Sequence, residues 1–327
     1  MAILFLLVGL AMLVGGAELL VRGGGALALA LKVPAMIVAL TVVAFGTSAP
    51  ELAVSVSAAL GEGGSTEAAL ANVTGSNIAN ILLVLGVAAL IRPLVVDRGL
   101  IKREIPALLI LQLLIPVLCM DAVIGRIEGM LLFAVGLVYN GLLIRQALKD
   151  RSDALAADLE GDLPDPEPEG IMARLPAFVP AWAVHATFLV FGLAILVAGA
   201  QLFVSGAFTL ATWAGFSERF IGLTVIALGT SAPEIATGAI SAWRGETEIA
   251  LGNSVGSNIL NISMVLALTS MIKPVAFEDS GTWIDLTVAN GVTLLLVPII
   301  LLSGRIGRVT GGLMIAAYLG YILFSQS

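Results

Sequence analysis

Two glutamates stand in otherwise apolar sequence, each at the end of the same six-residue phrase. GTSAPE occupies residues 46–51 and recurs letter for letter at residues 229–234, so Glu51 and Glu234 hold equivalent positions. A carboxylate at the centre of a bilayer costs about 2.5 kcal/mol or more, and such residues mark ion pathways and binding sites. We therefore interpret the two glutamates as a functional pair.

Hydroxyl groups accompany each glutamate at helical spacing. Thr47 lies four residues before Glu51 and Ser48 lies three before it, which places all three side chains on one face of a helix. Thr230 and Ser231 stand in the same relation to the second glutamate. The sequence therefore predicts two matching polar faces.

Proline interrupts both faces one residue before the glutamate. Pro50 and Pro233 supply no backbone donor, so each is expected to kink its helix, and the carbonyls four residues back, at Gly46 and Gly229, are expected to lose their helical partners. Irregular backbone at membrane depth is tolerated where it is buried in protein or lines a cavity. Backbone oxygens are thus further candidates for ligands.

A second polar stripe follows each GTSAPE phrase. Its members recur at i, i+4 and i+8, the spacing of one helix face. The first stripe is Asn72, Ser76 and Asn80, and the second is Asn253, Ser257 and Asn261.

The donor set consists of carboxylate, hydroxyl, amide and carbonyl oxygens. Hard oxygen ligands suit calcium or alkali ions, whereas zinc and copper favour imidazole or thiolate. His185 and Cys119 are the only residues of their types, and neither lies in the repeated phrases. One divalent cation, monovalent cations or protons could each neutralise two carboxylates, and a site balanced among them predicts an exchanger.

Composition predicts an all-α integral membrane protein. Of 327 residues, 59% are hydrophobic and 12% charged, and the mean hydropathy is +1.06. Apolar stretches of about 20 residues, enough to cross the hydrocarbon, recur along the whole chain. The ten predicted spans are 2–22, 33–60, 66–91, 100–120, 124–147, 177–213, 217–243, 247–272, 282–302 and 306–325.

Charge predicts the orientation of these spans in a cell membrane. If both termini share one side, that side holds only Arg126, Arg219 and Lys273 of the sixteen basic residues. Basic residues concentrate in cytoplasmic loops, so both termini are expected outside the cytoplasm. Residues 150–169 carry much of the negative charge, and nothing in the pattern indicates a nucleic-acid partner.

An internal repeat covers most of the chain. GLAMLVGGAELLVRGG at 9–24 matches GLAILVAGAQLFVSGA at 192–207, and NVTGSNIANI at 72–81 matches NSVGSNILNI at 253–262. Each half holds five predicted helices, an odd number, so the second half must enter the membrane from the opposite side. Inverted repeats of this kind are typical of secondary transporters, whose sites lie near the bilayer midplane.

The repeat sets the expected domain boundaries. The first five-helix repeat spans residues 1–148 and the second spans 177–327. Residues 149–176 are acidic and proline-rich, which predicts a flexible cytoplasmic linker. A further acidic residue, Glu18, has Arg22 one turn later, a spacing that predicts a structural ion pair.

GTSAPE followed by GSNIAN, and GTSAPE followed by GSNILN, resemble the two alpha repeats of the sodium/calcium exchanger branch of the cation/calcium antiporter superfamily, most closely its prokaryotic members. The resemblance implies a core of helices two, three, seven and eight, against which the long helices one and six slide. The ion ligands that it implies are Thr47, Ser48, Glu51, Ser76, Asn80, Thr230, Ser231, Glu234, Ser257 and Asn261, joined by the carbonyls of Ala44 and Ala227. Some members have an acidic residue where this chain has Asn80 or Asn261, so this site has two carboxylates and no third.

The sequence therefore predicts an antiporter, not an enzyme, that exchanges sodium for calcium by alternating access. Its expected partners are these two ions and the lipid bilayer, and no cofactor is expected beyond the transported ions. A proton/calcium exchanger is the alternative within the same class. A passive cation channel is the alternative from a different class.

Overall fold

A computed structural model describes residues 1–60, 66–97, 99–160, 180–215, 227–276 and 280–325. These residues are mostly helical. The helices are α1 (Ala2–Leu31), α2 (Ala35–Thr47), α3 (Ala49–Leu60), α4 (Thr66–Ile91), α5 (residues 100–118), α6 (Arg126–Glu160), α7 (Ala181–Trp213), α8 (Ala227–Thr230), α9 (Ala232–Arg244), α10 (Thr247–Ile272), α11 (Ser280–Ser303) and α12 (Arg308–Ser325). The strands are β1 (Leu94–Val95), β2 (Val123–Ile124), β3 (Val275–Ala276) and β4 (Arg305–Ile306).

Within the described residues, seven helices are long and apolar enough to cross a membrane. An eighth span results if α2 and α3, which meet at an angle of 41°, are taken together. Helix α5 coincides with the predicted span 100–120, but Lys102, Arg103 and Glu104 in its first turn make it more polar. The predicted span 217–243 lies partly outside the described residues. The structure is therefore that of a multi-pass helical membrane protein, and ten spans stay a prediction.

The linker predicted for residues 149–176 begins in the structure as a continuation of helix α6. Helix α6 continues through residue 149 and ends at Glu160. Residues 150–160 contain neither glycine nor proline, and Gly161 is the first residue that disfavours a helix. The remainder, residues 161–176, lies outside the described residues.

Helices α1 and α7 pack against each other along their lengths in antiparallel directions. Glycines recur every seventh residue on both helices, and a Cβ atom added at Gly16 would lie 2.6 Å from the backbone nitrogen of Leu196. Small residues let membrane helices approach until their backbones touch. The glycines at these crossings are Gly9, Gly16 and Gly23 on α1, and Gly192, Gly199 and Gly206 on α7.

Helices α4 and α10 form the centre of the molecule. Of the residues in their most apolar stretches, 72% and 78% are buried, against 28% or less in the other five long helices. Each contains one π-helical turn, and the two turns begin at matching asparagines, Asn80 and Asn261. These central helices therefore carry the predicted polar stripes inside the protein.

Two short antiparallel strand pairs connect the halves. β1 pairs with β4, and β2 pairs with β3. β1 and β3 follow the matching helices α4 and α10, so each pair joins a loop of one repeat to a loop of the other.

Candidate cation site

The helix that carries each glutamate is broken at the preceding serine. Ser48 has φ −82° and ψ 0°, and Ser231 has φ −84° and ψ 2°, so the two breaks share one conformation. Pro50 follows the first break, and Glu51 then lies in the first turn of α3. The sequence prediction of a kink at this position is confirmed.

The prediction of an unpaired Gly46 carbonyl is wrong. At the end of α2, backbone N–H groups reach the carbonyls of Ala44 and Gly46. Helix ends commonly tighten in this way, so that a donor from a different residue replaces the one that proline lacks. The Ala44 carbonyl, implied as an ion ligand by the resemblance, accepts from Ser48 N at 3.0 Å and lies 3.4 Å from Thr47 Oγ1.

Glu51 and Glu234 are both buried, with 1% of each residue exposed. Ser76 Oγ donates to Glu51 Oε1 at 3.4 Å, a long contact. Glu51 Oε2 and both carboxylate oxygens of Glu234 have no hydrogen-bond partner. The two carboxylates are near enough for their charges to interact, and no described lysine or arginine pairs with either.

Other buried oxygens in the predicted ligand set also lack partners. A buried polar atom without a hydrogen bond costs about 1–3 kcal/mol, so a cluster of them in a native protein indicates a ligand site. The unpartnered side-chain oxygens on predicted ligands are Ser48 Oγ, Ser231 Oγ, Asn80 Oδ1 and Asn261 Oδ1, together with the three glutamate oxygens.

Thr47 connects the first broken helix to α10. Its hydroxyl donates to Asn253 Oδ1 at 3.0 Å, and its oxygen lies 3.4 Å from Ser257 Oγ. Asn72 connects the same region to α4, because its Nδ2 donates to the Glu51 carbonyl at 3.2 Å and to Ser55 Oγ at 3.0 Å. Asn72 and Asn253 therefore hold helices together.

Asn77 and Asn258 form a cross-link between α4 and α10 that sequence reasoning missed. Asn77 Nδ2 donates to the Asn258 carbonyl at 3.5 Å, and Asn258 Nδ2 donates to the Asn77 carbonyl at 3.2 Å. Both side chains are buried and hold matching places in the repeated GSN triplet. Asn77 and Asn258 are not part of the polar stripes, whose members recur at every fourth residue. Only the repetition of the GSN triplet could have pointed to them.

This cross-link determines which side-chain atom of Asn80 and of Asn261, the amide nitrogen or the amide oxygen, is left without a hydrogen bond. A backbone carbonyl only accepts, so Asn258 must turn its Nδ2 to Asn77 and its Oδ1 to Asn80. Asn80 then donates through Nδ2 at 2.9 Å, which leaves its own Oδ1 unpartnered. Asn261 repeats the arrangement by donating to Asn77 Oδ1 at 3.1 Å.

The arrangement brings together two buried carboxylates and neutral oxygens. No group of three or more His, Cys, Asp or Glu side chains is found among the described residues, so neutral oxygens would have to complete any coordination shell. Ser257 is fully buried, Thr230 is half-buried, and Ala227 begins the short helix α8. Such a set of hard oxygens can hold a calcium or alkali cation.

The predicted ion pair between Glu18 and Arg22 is confirmed, with Nη2 and Oε1 2.8 Å apart. A second partner was missed, because it comes from 226 residues away. Arg244, the last residue of α9, donates through Nε to Glu18 Oε2 at 2.6 Å and through Nη2 to Oε1. This pair joins α1 to the helix that carries Glu234.

Comparison with known proteins places this geometry in a family. The family described as sodium/calcium exchanger protein matches residues 1–145 and 184–326, which includes both GTSAPE phrases. The chain belongs to the sodium/calcium exchanger family. The resemblance seen in the repeated motifs is thereby confirmed, and members of this family are transporters and not catalysts.

Curated relatives of this exchanger-family chain extend over nearly its whole length. CaxA of Alkalimonas amylolytica, named as a candidate antiporter, is 40% identical over 99% of both chains. The sodium/calcium exchanger MaX1 of Methanosarcina acetivorans is 30% identical over 98% of this chain and 97% of its own. A solved structure of the sodium-calcium exchanger NCX_Mj, soaked with zero Na⁺ and Ca²⁺, superimposes with a TM-score of 0.80 at 29% identity, covering 98% of each chain. Family and fold together support cation/calcium antiport across a membrane.

Proposed function

We propose that this protein exchanges sodium for calcium across the cell membrane, at a site built on Glu51 and Glu234. The observation that carries the proposal is the cluster of buried, unpartnered oxygens around two carboxylates without a described cationic partner. One Ca²⁺ would neutralise both carboxylates and accept the free oxygens of Asn80 and Asn261 as further ligands.

Sodium would occupy the same oxygens when calcium leaves. Two carboxylates without bound cations have a high free energy in the low-dielectric interior of the membrane. The protein should therefore switch between its inward-open and outward-open states only when cations occupy the site. Exchange then becomes obligatory, because the site cannot change its access from one side of the membrane to the other while it is empty. The name and the ion conditions of NCX_Mj, a sodium-calcium exchanger soaked with sodium, calcium or strontium, support this assignment.

The proposed architecture is ten membrane helices in two inverted five-helix repeats, with both termini outside the cytoplasm. The antiparallel packing of α1 and α7 supports the inversion, because these helices carry matching sequence. The strand pairs support it as well, since each pair requires an even number of membrane crossings between its two strands. Ten helices satisfy this requirement for both pairs.

Alternating access would follow from sliding of the α1–α7 pair over the core. Helix α1 contacts α9, and apolar side chains of α7 lie against the broken helices. Leu193 of α7 lies beside Gly46, and Val204 of α7 lies beside Gly229, so α7 covers both breaks. A shift of α1 and α7 would uncover one break while the other stays covered.

Calcium flux in proteoliposomes tests the coupling. Proteoliposomes that contain the purified protein and are loaded with ⁴⁵Ca²⁺ should release it when sodium is added outside. The release should stop when sodium is replaced by an impermeant cation. Flux driven by a pH gradient and not by a sodium gradient would replace the proposal with proton/calcium exchange. Flux that continues with no counter-ion on the other side would indicate a channel.

A further inference from the structure

Gln112 is a buried polar side chain on α5, a helix that contributes no residue to the proposed cation site. It is the one polar residue between Ile105 and Leu118, and 1% of it is exposed. A buried amide in a membrane helix lowers stability unless its N–H and C=O groups are hydrogen-bonded. The contacts of Gln112 therefore indicate what an amide does at this position.

The side chain of Gln112 reaches the asparagine cross-link between α4 and α10. Its Oε1 accepts from Asn77 Nδ2 at 3.2 Å. The other acceptor of that Nδ2, the Asn258 carbonyl, lies 3.5 Å away, which is long for a hydrogen bond. Gln112 therefore provides the shorter of the two bonds that hold the Asn77 amide in its orientation.

The orientation of Asn77 controls Asn261, a residue of the proposed ligand set. Because Asn77 directs its Nδ2 to Gln112, its Oδ1 is turned to Asn261, which donates to it through Nδ2 at 3.1 Å. The amide oxygen of Asn261 then has no partner in the described part of the chain and is free for the proposed cation. Three amides are thus linked in series, from an outer helix to the cation site.

The second repeat has threonine, Thr293 on α11, at the position that corresponds to Gln112. Each of the two residues follows, by eight positions, an acidic residue that accepts a hydrogen bond from a tyrosine. These acid–tyrosine pairs are Glu104 with Tyr139 and Asp285 with Tyr321. The Thr293 hydroxyl is buried and donates to the Ala289 carbonyl of its own helix at 2.7 Å. Thr293 therefore gives Asn258 no support like that which Gln112 gives Asn77.

Gln112 lowers the stability of the core in which it lies. Its Nε2 is buried and has no hydrogen-bond partner among the described residues. An unpartnered buried donor is destabilising, and an apolar side chain of the same length would not have this effect. A residue that served packing alone would be apolar here, as Leu111 and Leu113 are on either side.

We propose that Gln112 is a positioning residue for calcium binding. It orients Asn77, and through Asn77 it keeps the Asn261 oxygen turned to the cation, although Gln112 itself does not contact the ion. This inference rests on the proposed cation site. It makes the two asparagine ligands unequal, because Asn261, unlike Asn80, depends on a side chain from outside α4 and α10.

Equilibrium binding of ⁴⁵Ca²⁺ to the purified full chain tests the inference in three backgrounds. Gln112→Met, which has similar length and no amide, should raise the calcium dissociation constant about fivefold in the wild-type background, the effect of one neutral hydrogen bond. The same substitution should have the same effect in an Asn80→Ala background. It should have almost no effect in an Asn261→Ala background, because it acts through Asn261.

Thr293→Val is the matched control, because it removes a buried polar group at the corresponding position of the second repeat. This variant should bind calcium as the wild type does. Unchanged calcium binding by Gln112→Met, equal effects of Gln112→Met in all three backgrounds, or an equal loss in Thr293→Val would overturn the inference. Gln112→Asn, which is shorter by one methylene group, provides the same comparison if Gln112→Met does not fold.

Glu51→Gln, measured in the same series, separates failure of this inference from failure of the proposed site. Normal calcium binding by Glu51→Gln would overturn the site and the role of Gln112 together. Weak binding by Glu51→Gln with normal binding by Gln112→Met would leave the site in place and would overturn only the role of Gln112.

Discussion

Asn258 donates its side-chain N–H to the backbone carbonyl of Asn77 at 3.2 Å, and Asn77 returns the bond to the carbonyl of Asn258 at 3.5 Å. The two residues hold equivalent places in the repeats, so this reciprocal bond lies where the repeats meet. It fixes the amide orientation of Asn80 and Asn261, whose free oxygens face the proposed cation.

Asn258→Ala should weaken calcium binding without removing a ligand. Once Asn80 has no acceptor for its Nδ2, its amide can rotate and turn a donor toward the cation. We expect about a tenfold rise in the calcium concentration for half-maximal flux, equivalent to about 1.4 kcal/mol, the scale of one hydrogen bond. The measurement is the calcium dependence of sodium-driven flux.

A double-variant cycle separates positioning from general destabilisation. If Asn258 acts through Asn80, then Asn258→Ala should add little to the calcium effect of Asn80→Ala. Independent, additive effects of the two substitutions on calcium affinity would show that Asn258 does not position Asn80.

The close packing of α1 on α7 provides a second prediction. Gly16→Ala places a Cβ atom 2.6 Å from the backbone nitrogen of Leu196, so the helices must move apart. Overpacking of this kind costs about 1–3 kcal/mol, and we expect a lower midpoint of thermal unfolding and slower transport. Gly15→Ala is the control, because no atom lies within 4 Å of a Cβ at that neighbouring position. Equal effects of the two variants would contradict the packing argument.

The ion pair between Glu18 and Arg244 provides a third prediction. Both side chains are about 30% exposed, so their coupling should amount to about 0.5–1 kcal/mol and should decrease at high salt. Thermal unfolding of Glu18→Gln, Arg244→Gln and the double variant measures it. Arg22→Gln should show weaker coupling with Glu18, because 64% of the Arg22 side chain is exposed. A coupling energy of zero for Arg244 would mean that this pair does not tie α1 to α9.

Sequence alone predicted much of the proposed site because its chemistry is repeated at helical spacing. The glutamates are costly in hydrocarbon, and the stripes through Asn80 and Asn261 follow a period that can be counted. The structure brings these residues together inside one protein core. The proline in each copy of the phrase also predicted a kinked segment, and the structure places the two breaks at Ser48 and Ser231.

Other features depend on geometry that spacing does not contain. Asn77 contacts Asn258 across the junction of the repeats, and Arg244 reaches Glu18 over 226 residues. The Gly46 carbonyl is satisfied because the helix end tightens, which a rule about proline does not include. The linker was predicted to begin at residue 149 because the sequence becomes acidic there. The helix continues to Glu160, since no glycine or proline occurs between residue 149 and Gly161.

Direct binding of ⁴⁵Ca²⁺ to the purified protein tests the role of the two glutamates. Wild-type protein should bind calcium, and sodium should displace it. Glu51→Gln and Glu234→Gln should each lower calcium affinity at least 100-fold, because a divalent ion then faces one carboxylate in a buried site. Glu248→Gln, at an exposed position on α10, should bind as the wild type does. Unchanged, sodium-sensitive calcium binding by either Glu51→Gln or Glu234→Gln would contradict the proposed site.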